Sequence, residues 1–145
     1  MPILTTDTEE VVDMLVTRCG PDLKLAGPLG IGKPHRLLNA VYRRVAADPK
    51  LSLHLQTALS LTPPLPGKGL QRRFLEPFLA RHFGDDFPVL DYARDLRSNS
   101  VPANVRIEEF YMQSGDLLRS AQAQRNYASL NYTLVAATVA RNGVE

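Results

Sequence analysis

The sequence is poor in the residues that build disulfides and metal centres. It contains one cysteine, Cys19, and three histidines, His35, His54 and His82. A single cysteine excludes an internal disulfide and any Cys-x-x-Cys motif, so we expect a reducing compartment, the cytoplasm. The histidine spacing matches no local pattern of metal ligands, and we predict no metal site. Cys19 ends a helical pattern, where a small packing residue is a better interpretation than a nucleophile.

Long apolar runs and a strong excess of one charge are also missing. Every apolar stretch is far shorter than the roughly 18 residues that cross a bilayer, so we predict neither a membrane segment nor a signal peptide. The 17 Lys and Arg residues exceed the 15 Asp and Glu residues by only two, and they lie in scattered pairs such as Arg43-Arg44 and Arg72-Arg73. Nucleic acid is therefore not an expected partner. We expect solvated Arg pairs, with phosphate contact as the alternative.

What the sequence does contain is an alternation of strand and helix periods. Alternating apolar residues predict strands at 22–26, 51–59 and 105–112. Apolar residues at helical spacing predict helices at 8–19, from 34 onward, and at 70–83, 87–96 and 131–141. Pro77 is expected to kink or split the third of these helices. Because a helical pattern separates successive strands, we predict an α/β fold, a mainly parallel sheet flanked by helices, in a single domain spanning 1–145.

A glycine-rich segment, Gly-Pro-Leu-Gly-Ile-Gly-Lys-Pro, begins at Gly27 and is predicted to be a loop between the first strand and the second helix. Gly27 and Gly32-Lys33 reproduce most of a nucleotide-binding P-loop. The match fails at Pro34, because a P-loop needs a Ser or Thr hydroxyl there to bind Mg²⁺. We therefore do not predict nucleotide hydrolysis.

The glycines of this segment still suit the binding of an anion or a developing oxyanion. They let backbone N–H groups approach a ligand closely, and the following helix N-terminus carries partial positive charge. A tight turn that needs glycine for its backbone angles is an equal alternative, and we expect a positive φ at Gly30 or Gly32. Gly27, Gly30, Gly32 and Lys33 are the candidate substrate-binding residues.

A second loop is predicted at 62–69, where three prolines and two glycines fall within eight residues. It follows the second predicted strand, as the glycine-rich segment follows the first. Ligands of α/β sheets bind at the carboxyl ends of the strands, so the two loops support one binding site only if they share an edge of the sheet.

Three stretches carry a resemblance to a known family. They are the segment from Gly27 with the following Leu38-Asn39-Ala40, then Arg-Arg-Phe-Leu-Glu-Pro-Phe at 72–78, and Asn-Tyr-Thr at 131–133. In this order and spacing they resemble bacterial proteins of the acetyl-CoA hydrolase/CoA-transferase type. The similarity runs from about Leu23 to the end and covers only the start of a family member. It implies a sheet between layers of helices, like that of the class I CoA-transferases.

The resemblance also implies a chemistry. A Glu carboxylate attacks an acyl-CoA thioester, and the acyl group or CoA then passes to a short-chain carboxylic acid or to water. Coenzyme A thioester is thus the expected substrate, with no covalently bound cofactor, and a homo-oligomer is left open. The family's nucleophilic Glu lies in a downstream half, so we expect this chain to be an incomplete N-terminal domain of a longer protein.

No position matches the motif around that nucleophile, and we predict no catalytic residue in this chain. Glu108 and Glu109 are the local carboxylates worth considering. Adjacent strand residues point to opposite faces, so we interpret the two as a solvated edge pair. Arg72 or Arg73 is expected to form an ion pair with Glu76 along a helix, and Asn131 or Thr133 to cap the last helix in preference to contacting a substrate.

Two other functions stay open from the sequence. One is a non-catalytic module that binds an anion or a nucleotide through residues 27–34. The other is an assembly domain whose helices bind a partner chain, which exposed apolar side chains at Phe74, Phe78, Val139 or Val144 would favour.

Overall fold

A parallel β-sheet organises the residues that the computed structural model describes, 3–144. Within this range the sheet has three strands in the order β1-β2-β3, and both neighbouring pairs run parallel. The strands are β1 (Asp22–Leu29), β2 (Ser52–Ala58) and β3 (Val105–Glu109). The helices are α1 (Thr8–Cys19), α2 (His35–Ala47), α3 (Leu70–Phe83), α4 (Asp91–Ser98), α5 (Ala121–Arg125) and α6 (Tyr132–Arg141). The predicted α/β class with a parallel sheet is confirmed.

One face of the sheet forms the hydrophobic core. On this face Leu55 of the central strand lies between Leu25 of β1 and Ile107 of β3. Helix α2 covers the face with buried side chains at helical spacing, namely Leu38, Val41, Tyr42 and Val45. Helices α1 and α4 complete the layer through Val12 and Tyr92, both fully buried. Burial of this apolar surface is the main favourable term in the stability of the sheet.

The opposite face of the sheet is polar. Because side chains alternate between faces along a strand, His54 and Gln56 of β2 share this face with Arg106 and Glu108 of β3. Helix α6 lies over part of it, and all of its side chains are exposed or half-buried. The helices therefore cover the two faces very unequally.

The strand boundaries differ from the predicted ones at the carboxyl ends. Strand β1 continues through the first three residues of the predicted loop to Leu29, which pairs with Ala58 after a shift in register. Gly27 lies within β1, and a side chain at this position would crowd Thr57 of β2. Only Gly30–Gly32 form the turn, a single turn of 3-10 helix. Strand β3 ends at Glu109, three residues earlier than predicted.

Helices were predicted at the positions of α1, α2, α3, α4 and α6, but three details differ. Helix α3 is unbroken through Pro77, so the predicted split is wrong. An exposed helix tolerates the proline because the carbonyl that loses its donor is free to bond water. Helix α4 begins later than predicted, at Asp91, and α5 was missed because five residues are too few for a periodic pattern. None of the helices within residues 3–144 has the length and apolar character needed to cross a membrane.

Candidate functional site

The carboxyl ends of all three strands meet at one edge of the sheet, which we call the carboxyl edge. Since β1 and β2 are parallel, the turn at Gly30–Gly32 and the proline-rich segment at 62–69 leave the sheet side by side. This is the edge at which α/β sheets bind ligands. The two predicted loops therefore satisfy the geometric condition for one site.

The three glycines of the glycine-rich segment, Gly27, Gly30 and Gly32, are each required for a different reason or for none. A side chain at Gly27 would lie 3.2 Å from Thr57 Oγ1, so this glycine allows close packing of β1 on β2. Gly30 is buried and has φ of +59°, the left-handed conformation that favours glycine. The predicted positive φ is thus confirmed at Gly30. Gly32 lies outside the left-handed region, and a side chain there would extend into open space.

Lys33 ties this turn to the neighbouring strand. Its side chain is buried, and Nζ donates hydrogen bonds to the carbonyl oxygens of Ala58 and Leu59, the latter at 3.2 Å. Leu59 has φ of 48°, an unusual conformation for a residue with a side chain. Burial lowers the pKa of Lys33 to about 8, although the charge of Glu109 acts in the opposite direction. The ammonium of Lys33 is therefore bonded to backbone carbonyl groups inside the protein.

Glu109 belongs to a buried polar cluster beneath the same edge. It is only 2% exposed and accepts a hydrogen bond from Ser60 Oγ. Because the Ser60 hydroxyl proton is used there, the Tyr92 hydroxyl donates to Ser60 Oγ, at 2.7 Å. Burial raises the pKa of Glu109 above its ordinary value, while Ser60 and the charge of Lys33 counteract this shift. A carboxylate so enclosed has no surface on which to meet a substrate.

Glu108 is held on the other face of the sheet. It is 8% exposed and accepts hydrogen bonds from Gln56 Nε2 at 2.8 Å, Arg106 at 2.7 Å and His54 Nε2 at 3.2 Å. These donors account for both carboxylate oxygens. Glu108 is thus a structural acceptor that joins β2 to β3.

The predicted solvated edge pair is therefore wrong for both glutamates. The chain returns along the outside of β3, where Tyr127 forms a bridge with Glu109 and Ala128 N donates to Glu109 O at 3.0 Å. The sequence contained a signal, because Val105, Ile107 and Glu109 alternate and so share the core face. Ser60 and Tyr92 were missed entirely, since neither lies in a pattern that marks a partner for a carboxylate.

A groove of about 420 Å³ runs beside the turn and the N-terminus of α2. Its walls include Ile31, Pro34, His35 and Phe87. His35 Nδ1 lies 2.7 Å from the carbonyl oxygen of Pro88, and because a carbonyl only accepts, Nδ1 carries the proton. His35 Nε2 is buried and has no hydrogen-bond partner among the described residues. The groove thus combines a helix N-terminus with an unpaired imidazole nitrogen.

A second, broader groove of about 760 Å³ lies along the proline-rich segment. Pro63, Pro64 and Leu65 form one side, and Arg94 and Arg97 are on the other. Both guanidinium groups are already paired with carboxylates, Arg94 with Asp91 at 3.3 Å and Arg97 with Asp116 at 2.6 Å. This groove therefore offers an apolar wall and cations that are partly neutralised.

The remaining site predictions concern helices α3 and α6. Arg72 and Glu76 form the predicted ion pair along α3, at 2.6 Å. Asn131 caps α6 by accepting a hydrogen bond from Thr133 N at 3.1 Å, as predicted. In the part of the chain that the structure describes, no three His, Cys, Asp or Glu side chains lie close enough together to hold a metal ion.

Comparison of the chain with protein-family models, with curated proteins and with solved structures gives no match.

The different roles of Gly30 and Gly32 predict different costs of substitution. Gly30→Ala should reduce the free energy of unfolding by about 1 kcal/mol, because an alanine side chain is strained at positive φ. Gly32→Ala should change it by less than about 0.5 kcal/mol, since the backbone is ordinary and the space is open. Urea unfolding of both variants measures this difference. Equal effects would show that the turn does not depend on the backbone angle of Gly30.

The buried ammonium of Lys33 predicts a pH dependence of stability. Between pH 8 and the ordinary pKa of 10.5 the unfolded chain binds more protons at Lys33 than the folded chain does. Stability contributed by this residue should therefore rise with pH, by up to about 3 kcal/mol across that window. The measurement is urea unfolding of the wild type and of Lys33→Met at several pH values from 8 to 10.5. A constant difference between the two proteins would contradict the burial of an ionisable Lys33.

Proposed function

We propose that this chain forms part of the acyl-CoA site of an acetyl-CoA hydrolase or CoA-transferase. The observation that carries the proposal is the placement of the glycine-rich turn and the proline-rich segment on one edge of a parallel sheet. The resemblance of the sequence to that family at the turn, at residues 72–78 and at residues 131–133 supports the same assignment. Together they make a CoA thioester the expected ligand and a short-chain carboxylic acid the expected acceptor.

The turn contributes positive electrostatic potential at the carboxyl edge. Gly30 and Gly32 keep the backbone bare of side chains, and α2 begins three residues after Gly32. Backbone N–H groups and the helix dipole at such a place stabilise a phosphate or the oxyanion that forms when a thioester is attacked. Gly27 contributes indirectly, because the absence of a side chain there lets β1 and β2 pack closely.

Lys33 serves this site as a positioning residue. Its ammonium bonds to Ala58 and Leu59, which fixes the turn against the start of the segment that leads to the prolines. Direct contact between Lys33 and a ligand stays a prediction. The proposal assigns the nucleophilic glutamate to a downstream half of the protein, because Glu108 and Glu109 are both enclosed by hydrogen-bond donors.

A non-catalytic anion- or nucleotide-binding module is the first alternative. The same turn and groove would serve it, and no downstream nucleophile is needed. Preference of the chain for ATP over CoA would favour this alternative.

An assembly domain is the second alternative, and one observation favours it. Phe74 and Phe78 of α3 are 77% and 45% exposed, on a helix whose side chains are all exposed or half-buried. An apolar ridge of this kind suits contact with another protein surface. A downstream domain of the same protein and a second copy of the chain are the partners that the proposal names.

Titration of the chain with CoA, acetyl-CoA and ATP tests the proposal. We expect binding of both CoA compounds, with ATP weaker, and without thioester cleavage by this chain alone. Gly32→Asp places a negative charge in open space at the turn and should weaken CoA binding about tenfold by repulsion from the phosphates. Isothermal titration calorimetry measures the affinities.

The matched control for this titration is Ala103→Asp. Ala103 is exposed and precedes β3, so the same charge is introduced at the opposite edge of the sheet. CoA binding by this variant should equal that of the wild type. Failure of CoA to bind, or an equal loss in both variants, would overturn the assignment of the site to the turn.

A further inference from the structure

A separate cavity lies on the polar face of the sheet, beneath helix α6. Its volume is about 220 Å³. The sheet side is formed by Ala26, Gln56 and Glu108, and the helix side by Val135, Thr138 and Val139. The lining is mainly apolar, with polar atoms concentrated on Gln56, Glu108 and Thr138. An apolar cavity of about 150 Å³ holds a benzene ring, so this one has room for a molecule of about nine non-hydrogen atoms.

The amide of Gln56 leaves one buried atom without a partner. Its Nε2 donates to Glu108 Oε1 at 2.8 Å, and this bond fixes the orientation of the amide, since a carboxylate cannot donate in return. Gln56 is 6% exposed, and its Oε1 is buried without a hydrogen-bond partner among the described residues. A buried polar atom in this state is unfavourable, so an incoming hydrogen-bond donor would stabilise it.

The other two polar side chains of the cavity, Thr138 and Glu108, have no spare donor. The hydroxyl of Thr138 donates to Leu134 O at 2.9 Å, which leaves Thr138 Oγ1 only its acceptor role. Glu108 accepts from Arg106 and His54 in addition to Gln56, so its charge is compensated from outside the cavity. Thr138 and Glu108 therefore present acceptors to a ligand, and neither donates a hydrogen bond to an anion.

We propose that this cavity binds a small, neutral, largely apolar molecule that donates one N–H or O–H hydrogen bond to Gln56 Oε1. Its size and its polarity both follow from the lining. The cavity extends from the polar face of the sheet to Gly27 near the end of β1, and its buried carboxylate disfavours carboxylates and phosphates. Its expected ligand is neutral whereas CoA is anionic, so separate titrations show whether one proposal fails without the other.

Indole and indene are matched probes for this site. The two molecules have nearly the same size and shape, but only indole carries an N–H donor. Titration of the ¹⁵N-labelled chain should shift the backbone amide signals of Ala26, Phe110 and Val135 with both probes. Indene should bind about fivefold more weakly than indole, as the loss of one hydrogen bond predicts. Equal affinities would overturn the role of Gln56, and unchanged spectra would overturn the site.

Three variants separate the hydrogen bond from the cavity itself. Gln56→Met removes the acceptor and should abolish the preference for indole over indene. Val139→Phe fills the cavity from the helix side and should abolish the binding of both probes, without altering the Gln56–Glu108 pair. Leu134→Phe is the control, because Leu134 lies on the same helix, is 49% exposed and does not line the cavity. Binding that persists in Val139→Phe, or disappears in Leu134→Phe, would contradict this location even if Gln56→Met fails to fold.

Discussion

The carboxyl edge of the sheet depends on one buried cation. Lys33 reaches from the turn after β1 to the carbonyl oxygens of Ala58 and Leu59, so a single side chain joins the ends of two parallel strands. Leu59, which accepts one of these bonds, has a positive φ, and Leu59 N donates to Tyr111 O at 2.7 Å. Burial disfavours the charge of Lys33 and of Glu109 alike, and their attraction reduces this cost.

The carboxyl edge and the polar face of the sheet differ in how their polar side chains are bonded. At the carboxyl edge, the side chains of Lys33 and Glu109 are buried and hydrogen-bonded to neighbouring protein groups. On the polar face, Gln56 and Glu108 pair with each other across β2 and β3 and line a cavity, and Gln56 Oε1 has no hydrogen-bond partner among the described residues. In both proposals the ligand is contacted by backbone or amide groups, while the carboxylates serve the fold.

Local patterns in the sequence were sufficient for the fold class but not for the buried polar contacts. Apolar alternation in β2 and helical spacing in α2 predicted a parallel α/β unit, because both patterns arise from burial on one face. The positive φ of Gly30 and the cap at Asn131 follow from local chemistry and were predicted as well. The partners of Glu109 were not, since Ser60 and Tyr92 come from distant parts of the chain.

The coupling between Lys33 and Glu109 is the most direct test of this account. A double-mutant cycle would combine Lys33→Met with Glu109→Gln and measure the free energy of unfolding of all four proteins in urea at pH 7. We expect the two substitutions not to be additive, with a favourable interaction of at least about 1 kcal/mol between the wild-type side chains. Additive effects, within about 0.3 kcal/mol, would show that the two buried charges do not stabilise each other and that Lys33 does not organise the carboxyl edge through this pair.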